Sequence, residues 1–235
     1  MFEFSIPCVC FLLFVGLAVV AASISWYFSE QRRKALAEAA QLMGFDWLDK
    51  SPGLLTAPFR NFALFNRGGG ADAFNVMRGQ VGSREVLVMD YKYTTGSGKN
   101  RSTHTQTVVV FPQMASPLPK FELSPENFLS KIMQAFGYRD INFEEHPEFS
   151  RKYLLRGSDE EGIRAVFHQD LLDHFASHPG WSVESADGML LVYRDSTTCD
   201  AKRLPEFIAE CTRIAALFDE GKSGTGKVGS VQEEF

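Results

Sequence analysis

The stretch from Glu85 to Phe111 reads EVLVMDYKYTTGSGKNRSTHTQTVVVF. Its first part alternates. Leu87, Met89, Tyr91 and Tyr93 fall on one side of an extended chain, and Val86, Val88, Asp90 and Lys92 fall on the other. Ser102 to Phe111 is rich in β-branched residues and ends in Val108-Val109-Val110, which suits a second strand. Thr95 to Arg101 between them is polar and glycine-rich, so it reads as the tip of a long antiparallel hairpin.

Upstream, Phe74 to Gln80 reads as a short strand closed by Gly82-Ser83. Phe59 to Phe65 reads as another strand, ending in a turn at Gly68-Gly69-Gly70. Asp46 to Ala57 carries Ser51-Pro52-Gly53 and is expected to be loop. Downstream, Ser124 followed by Pro125 predicts a helix start, with Phe128, Leu129, Ile132, Met133 and Phe136 as its apolar face. Phe149 to Arg156 is expected to be a strand. Ser158 with Glu161 reads as a capping box opening a helical region to about Ser177, broken near His168. Asp187-Gly188 joins two short strands, Trp181 to Ser185 and Met189 to Arg194, and Pro205 to Phe218 is a last amphipathic helix. Hairpin-linked strands followed by helices predict an α+β domain on an antiparallel sheet with packed helices.

Before that domain, Cys8 to Phe28 (CVCFLLFVGLAVVAASISWYF) has no charged residue. As a helix it spans about 31 Å at 1.5 Å per residue, matching a hydrocarbon core of about 30 Å. A cleaved signal peptide fits less well: Met1 to Pro7 carries Glu3 and no basic side chain, although Ala21-Ala22-Ser23 imitates a cleavage site. A buried core helix would be shorter and more often broken by polar residues. The reading is a single transmembrane helix. Arg32, Arg33 and Lys34 follow the span, and the bias of basic residues to the cytoplasmic side predicts the N-terminus outside and the C-terminal domain in the cytoplasm of a single-pass cell-membrane protein. Trp26 and Tyr27 fall at the expected interface. Glu30 to Met43 continues as helix, with Leu36, Ala39, Ala40 and Met43 as a narrow stripe able to dock on the domain.

The expected organisation is an anchor at 1–29, a juxtamembrane helical stalk and loop at 30–57, the α+β domain at 58–218 and a disordered tail at 219–235. The chain has 24 basic and 29 acidic side chains. Three and two of these precede residue 35, which leaves the rest at a net −6. An acidic domain is a poor match for nucleic acid. Only Cys199 and Cys211 lie beyond the anchor, which is neither a disulfide framework nor a zinc pattern.

The strings Asn75 to Gly79 (NVMRG), Asp90 to Arg101 (DYKYTTGSGKNR) and Tyr153 to Glu160 (YLLRGSDE) resemble a bacterial family of small membrane-anchored proteins of unknown function. The resemblance covers about residues 60 to 218. It implies a membrane anchor and carries over no catalytic residue, and a more distant likeness is to other domains of unknown function with an N-terminal anchor and a mixed sheet. The strand order ending in a helix is also loosely similar to a pleckstrin-homology-type barrel, an analogy of fold only.

Motifs for catalysis are weak. Gly221 to Lys227 has phosphate-loop spacing, but Val228 stands where Ser or Thr is needed and no strand feeds it. Gly96 to Lys99 lacks the first glycine and joins two strands. His174 and His178 share a helix face with Asp170, without a metalloprotease glutamate, and read as a solvated polar face. Glu144, Glu145, His146 and Glu148 make an acidic run, as do Asp159 to Glu161; paired carboxylates can do acid/base work, but the second run sits in the first turn of a helix, where the dipole accounts for it. No nucleophile elbow is present, and Cys199 and Cys211 read as structural. No catalytic residue, cofactor, metal or small-molecule substrate is therefore assigned. The candidate binding residues are Lys99, Asn100 and Arg101 at the hairpin tip, with Lys92 nearby, poised for an anionic lipid or a protein partner. The expected function is a membrane-anchored cytoplasmic binding or scaffold module. The alternative is a membrane-tethered hydrolase using His174 or His146.

Overall fold

The computed structural model describes residues 6–49, 59–126 and 140–220. The hairpin lies at its centre. Strand β3 (Arg84–Thr95) pairs antiparallel with β4 (Ser102–Phe111), from Leu87 opposite Val110 to Thr95 opposite Ser102. The remaining strands are β1 (Asp46–Asp49), β2 (Gly69–Val81), β5 (Phe121–Pro125), β6 (Tyr153–Gly157), β7 (Ser182–Ala186) and β8 (Met189–Tyr193). They form one sheet in the order β1-β2-β3-β4-β8-β7-β5-β6, and every neighbouring pair is antiparallel. The domain is α+β.

The alternation in β3 sorts its side chains into two cores. Val86 and Val88 face a helical layer, while Leu87, Met89, Tyr91 and Tyr93 face the other side. The helical layer comprises the end of α1 (Ile6–Leu42), α2 (Pro147–Lys152), α3 (Glu160–Val166), α4 (Gln169–Ser177) and α5 (Leu204–Glu220). α5 buries Leu204, Ile208, Cys211, Ile214, Ala215 and Phe218, an i, i+3, i+4 stripe, and Phe218 stacks on Phe121 at 5.4 Å. Among the described residues the second core is covered by two 3₁₀ turns, Phe59–Asn61 and Leu64–Asn66.

Those turns replace the strand expected at Phe59 to Phe65. Asn66 Nδ2 reaches back to the carbonyls of Arg60 (2.5 Å) and Phe62 (2.8 Å), closing the chain on itself and withdrawing those acceptors from any ladder. Of the turn expected at Gly68 to Gly70, Gly69 and Gly70 are the start of β2. Gly68 has φ +62°, and a Cβ there would sit 2.1 Å from the Thr94 carbonyl oxygen, so glycine lets β2 approach β3.

Three other elements differ from expectation. The start of the loop expected from Asp46 is a short edge strand along Trp47–Met77. Phe149 to Lys152 is helical because Pro147 opens a turn at the first helical position, and the strand begins only at Tyr153. Ser124 and Pro125 end strand β5 opposite Leu154 and Tyr153 rather than capping a helix there. Residues 127–139, which hold the body of that expected helix, lie outside the described residues, as does the tail from 221 with its phosphate-loop-like string. The expected break near His168 is present between α3 and α4. The cap of α3 is Asp159 rather than Ser158, its carboxylate accepting from the Gly162 amide at 2.9 Å.

α1 is 37 residues, about 55 Å at 1.5 Å each. It is the one helix among the described residues long and apolar enough to cross a membrane. Side chains from Leu13 through Ser29 are exposed, whereas Leu36 and Ala40 are buried against the sheet. One helix thus carries both the apolar span and part of the domain core.

Candidate functional site

The junction of anchor and domain is built around Asp90, in the middle of β3. Its position on the helical side follows from the strand alternation, and its side chain is 1 % exposed. A buried carboxylate needs every lone pair answered. Here Arg32 donates from Nη2 to Oδ1 and from Nε to Oδ2, both at 2.9 Å. Thr107 donates to Oδ1 and Asn75 to Oδ2, both at 2.8 Å. Arg32 Nη1 also donates to the Cys199 carbonyl at 2.8 Å, whose amide in turn donates to Thr107 Oγ1. Asn75 reaches Asp90 because β2 bulges between Phe74 and Met77 and Asn75 sits at φ +53°, a conformation Asn tolerates. The helix that leaves the apolar span is therefore pinned through a two-pronged guanidinium–carboxylate contact, the strongest geometry such a pair can adopt.

On the opposite face lies a second polar cluster. The pairing register sets Arg156 of β6 beside Glu122 of β5, and Glu122 beside Glu184 of β7. Arg67, almost fully buried, forms ion pairs with Glu122, with Glu184 at 3.4 Å and with Asp195 at 3.5 Å. Glu184 also accepts from the Tyr193 hydroxyl at 2.8 Å and from the Leu64 amide at 3.1 Å, which ties the 3₁₀ turns to the sheet. Burial, then the neighbouring Glu122 carboxylate, pushes Glu184 up to about 7, against the pull of Arg67. Burial works against the charge on Arg67, but Tyr193 and the surrounding acids outweigh it and hold it well above its usual value. Beside this cluster is a cavity of about 410 Å³, lined by Asn61, Phe62, Lys120, Glu122, Arg156 and Glu184 among others.

The hairpin tip carries the residues singled out by sequence. Lys99, Asn100 and Arg101 are exposed on a 3₁₀ turn spanning Gly98–Asn100. Gly96, at φ +74°, shapes that turn, since a Cβ there would stand 2.2 Å from the Asn100 carbonyl oxygen. Lys92 stands three residues before Thr95, where the tip begins. It lies on the ribbon with Nζ 3.8 Å from Asp72 Oδ2 and 5.6 Å from the centre of the Phe74 ring.

The fold is similar to that of a mycobacterial transport factor. The solved structure of the mycobacterial trehalose monomycolate transport factor A, TtfA, superposes with a TM-score of 0.56 at 15% identity, over 81% of this chain and 92% of that one. Neither a protein-family model nor a curated protein matches the chain.

Two histidines pair, and the others among the described residues stand apart from them. His174 and His178 stack on each other at 4.7 Å, and burial, then His178, lowers the pKa of His174. His146 is 3.6 Å from Asp173, and His168 contacts the Leu217 carbonyl at 3.0 Å. Among the described residues no group of three or more His, Cys, Asp or Glu is arranged to hold a metal. Burial raises the Cys199 thiol to about 11 and raises Cys211 well above its usual value, so neither is set up as a nucleophile. Asp90, Arg67, Glu122, Glu184 and Asp195 are polar site residues that no motif marks, and the sequence shows Arg32 only as part of the basic flank of the span. The available signal was a charged residue inside an apolar strand, as at Asp90 between Met89 and Tyr91.

Proposed function

We propose that this chain is a membrane-anchored accessory module that holds a rigid binding domain at the inner face of the membrane, where it contacts the lipid surface or a protein partner. The observation that carries the reading is the Arg32–Asp90 clamp. A mobile tether needs a flexible linker between span and domain, whereas here the spanning helix runs without a break into the domain core. The bias of Arg32, Arg33 and Lys34 to the C-terminal flank of the span supports a cytoplasmic domain with the N-terminus outside. The solved protein of similar fold is named a transport factor, which supports an accessory role over a catalytic one.

The clamp also gives the tip a direction. α1 meets β3 at Asp90 and ends near Phe45, whose ring packs over Gly79, opposite Val86. The helix therefore descends the strand away from the tip, and followed back toward the span it rises with the tip. Thr95 lies five residues beyond Asp90, about 17 Å along a strand. Phe28 lies four residues before Arg32, about 6 Å along a helix. On this reading the basic tip points to the same side of the domain as the interface residues Trp26, Tyr27 and Phe28, all exposed.

The test is a depth measurement on the full chain with its four cysteines replaced, reconstituted into anionic vesicles containing nitroxide lipid. A fluorophore at Ser97 should be quenched strongly, and one at Ser83, at the opposite end of β3, should not. Equal quenching at the two sites, or none at Ser97, would overturn the arrangement.

A further inference from the structure

The polar row across β6, β5 and β7 leaves one group over. Its acids are engaged: Glu122 with Arg67, and Glu184 with Arg67, Tyr193 and the Leu64 amide. Arg156 sits directly across from Glu122, yet its Nε and Nη1 are buried and have no hydrogen-bond partner among the described residues. Leaving such a donor unmade costs roughly 1–3 kcal/mol, and more on a charged group. A native fold that carries such a cost calls for a reason, and a ligand that removes it is one; the planar guanidinium fork fits an oxyanion with two parallel hydrogen bonds.

The surroundings fit a ligand rather than a stray ion. Arg156 lines the 410 Å³ cavity between the 3₁₀ turns and the sheet, and that volume is in the range of about 300–1,000 Å³ typical of small-molecule sites. Lys120, exposed on the same lining, adds a second cation, so a doubly charged group is matched better than a carboxylate. Phe62 and Ala63 give the lining an apolar part that can receive the rest of the molecule.

We propose that this chamber binds a phosphate-bearing small molecule or lipid headgroup, gripped by Arg156 and assisted by Lys120. The site is separate from the hairpin tip and does not depend on the tip meeting the membrane.

The experiment follows thermal unfolding of the full chain in non-ionic detergent at fixed ionic strength, with glycerol 3-phosphate or dioctanoyl phosphatidate added. Binding to the folded state raises Tm with probe concentration. The wild type should show that rise, Lys120→Gln a smaller one, and Arg156→Gln none, with the ligand-free Arg156→Gln protein at least as stable as wild type. A half-maximal rise at about tenfold lower phosphatidate than glycerol 3-phosphate, a gain of about 1.4 kcal/mol, assigns the site to a lipid headgroup. Comparable concentrations assign it to a soluble phosphate. Absence of a rise with both probes in the wild type, an equal rise in Arg156→Gln, or a ligand-free Arg156→Gln protein markedly less stable than wild type would each overturn the proposal, the last because it would give Arg156 a structural role.

Discussion

Arg32 lies four residues past the apolar span, and it closes both oxygens of Asp90 in the middle of the central strand at 2.9 Å. The pair is asymmetric: the Arg32 side chain is 26% exposed and that of Asp90 is 1% exposed. Removing the arginine strands a buried charge, while removing the carboxylate's charge leaves a cation that can turn to water. Arg32→Ala should therefore cost about 3 kcal/mol, the lower end for a broken buried pair, and Asp90→Asn about 1–2 kcal/mol. Urea unfolding of the full chain in detergent checks both. A cost below about 1 kcal/mol for Arg32→Ala would make the clamp an ordinary surface pair.

Gly79 bears on the same junction. A Cβ there would meet the Phe45 ring at 2.2 to 2.5 Å, and Phe45 is the first residue after the turn that ends α1, its amide bonded to the Ala40 carbonyl at 2.8 Å. The ring has to move, and with it the seat of Ala40. Gly79→Ala should destabilise by about 1–3 kcal/mol, as overpacking does. Limited proteolysis should show faster cutting near Gly44 than in wild type.

Glu184 sets a pH dependence whose sign is fixed. Its folded value of about 7 lies above its free value of 4.5. Between those values the folded chain keeps a proton that the unfolded chain releases, so this contribution to stability is full below about pH 4.5 and lost as pH rises through about 7. The total is of the order of a few kcal/mol. Glu184→Gln removes that slope. Its deficit against wild type should be larger at pH 5 than at pH 8, read from urea midpoints. An unchanged difference would mean that Glu184 is ionised throughout.

The hairpin, its two faces and the antiparallel α+β class were legible because β3 alternates strictly and local pattern agrees with tertiary burial. The 3₁₀ turns at Phe59 to Asn66 were not. Their apolar content satisfies a strand pattern equally well, and what selects the turn is the long-range bond from the Leu64 amide to Glu184, 120 residues away. Arg67 and Glu184 were invisible for the same reason: each reads as a polar residue at a loop or a strand edge until strand pairing brings them together. The tip was legible as an exposed basic turn because exposure and charge are local properties. The contacts of Lys92 with Asp72 and Phe74, on the neighbouring strand, were not legible in sequence.

The proposed topology rests on three basic residues whose roles differ. Arg32 is held by Asp90, while Arg33 and Lys34 pair with Glu30 at 2.8 and 3.7 Å. Orientation follows the count of basic residues rather than net charge, so Glu30 does not cancel them. A reporter active only in the cytoplasm should work when fused after Phe235. Replacing Arg33 and Lys34 with Gln, while adding lysines before Pro7, should send it outward without touching the clamp. Reporter activity restricted to the outside in the wild type would reverse the proposed orientation.

The hairpin tip offers the sharpest test of surface binding. Lys99 and Arg101 are exposed and their side chains enter no ion pair or side-chain hydrogen bond among the described residues, whereas the turn beneath them is fixed by Gly96. Lys99→Ala with Arg101→Ala should therefore leave stability within about 0.5 kcal/mol per site. Each basic residue near an anionic surface is worth about 1 kcal/mol, so the pair should lower vesicle affinity by about 30-fold at low salt. The fragment to use begins at Glu30, since a cut after α1 would discard Arg32, Leu36 and Ala40 from the core. The difference between wild type and double variant should shrink as salt rises toward physiological strength, where screening acts over about 8 Å. Equal binding of the two proteins at low salt would remove the tip from the membrane contact, and a double variant that fails to fold would show that its side chains serve the turn instead.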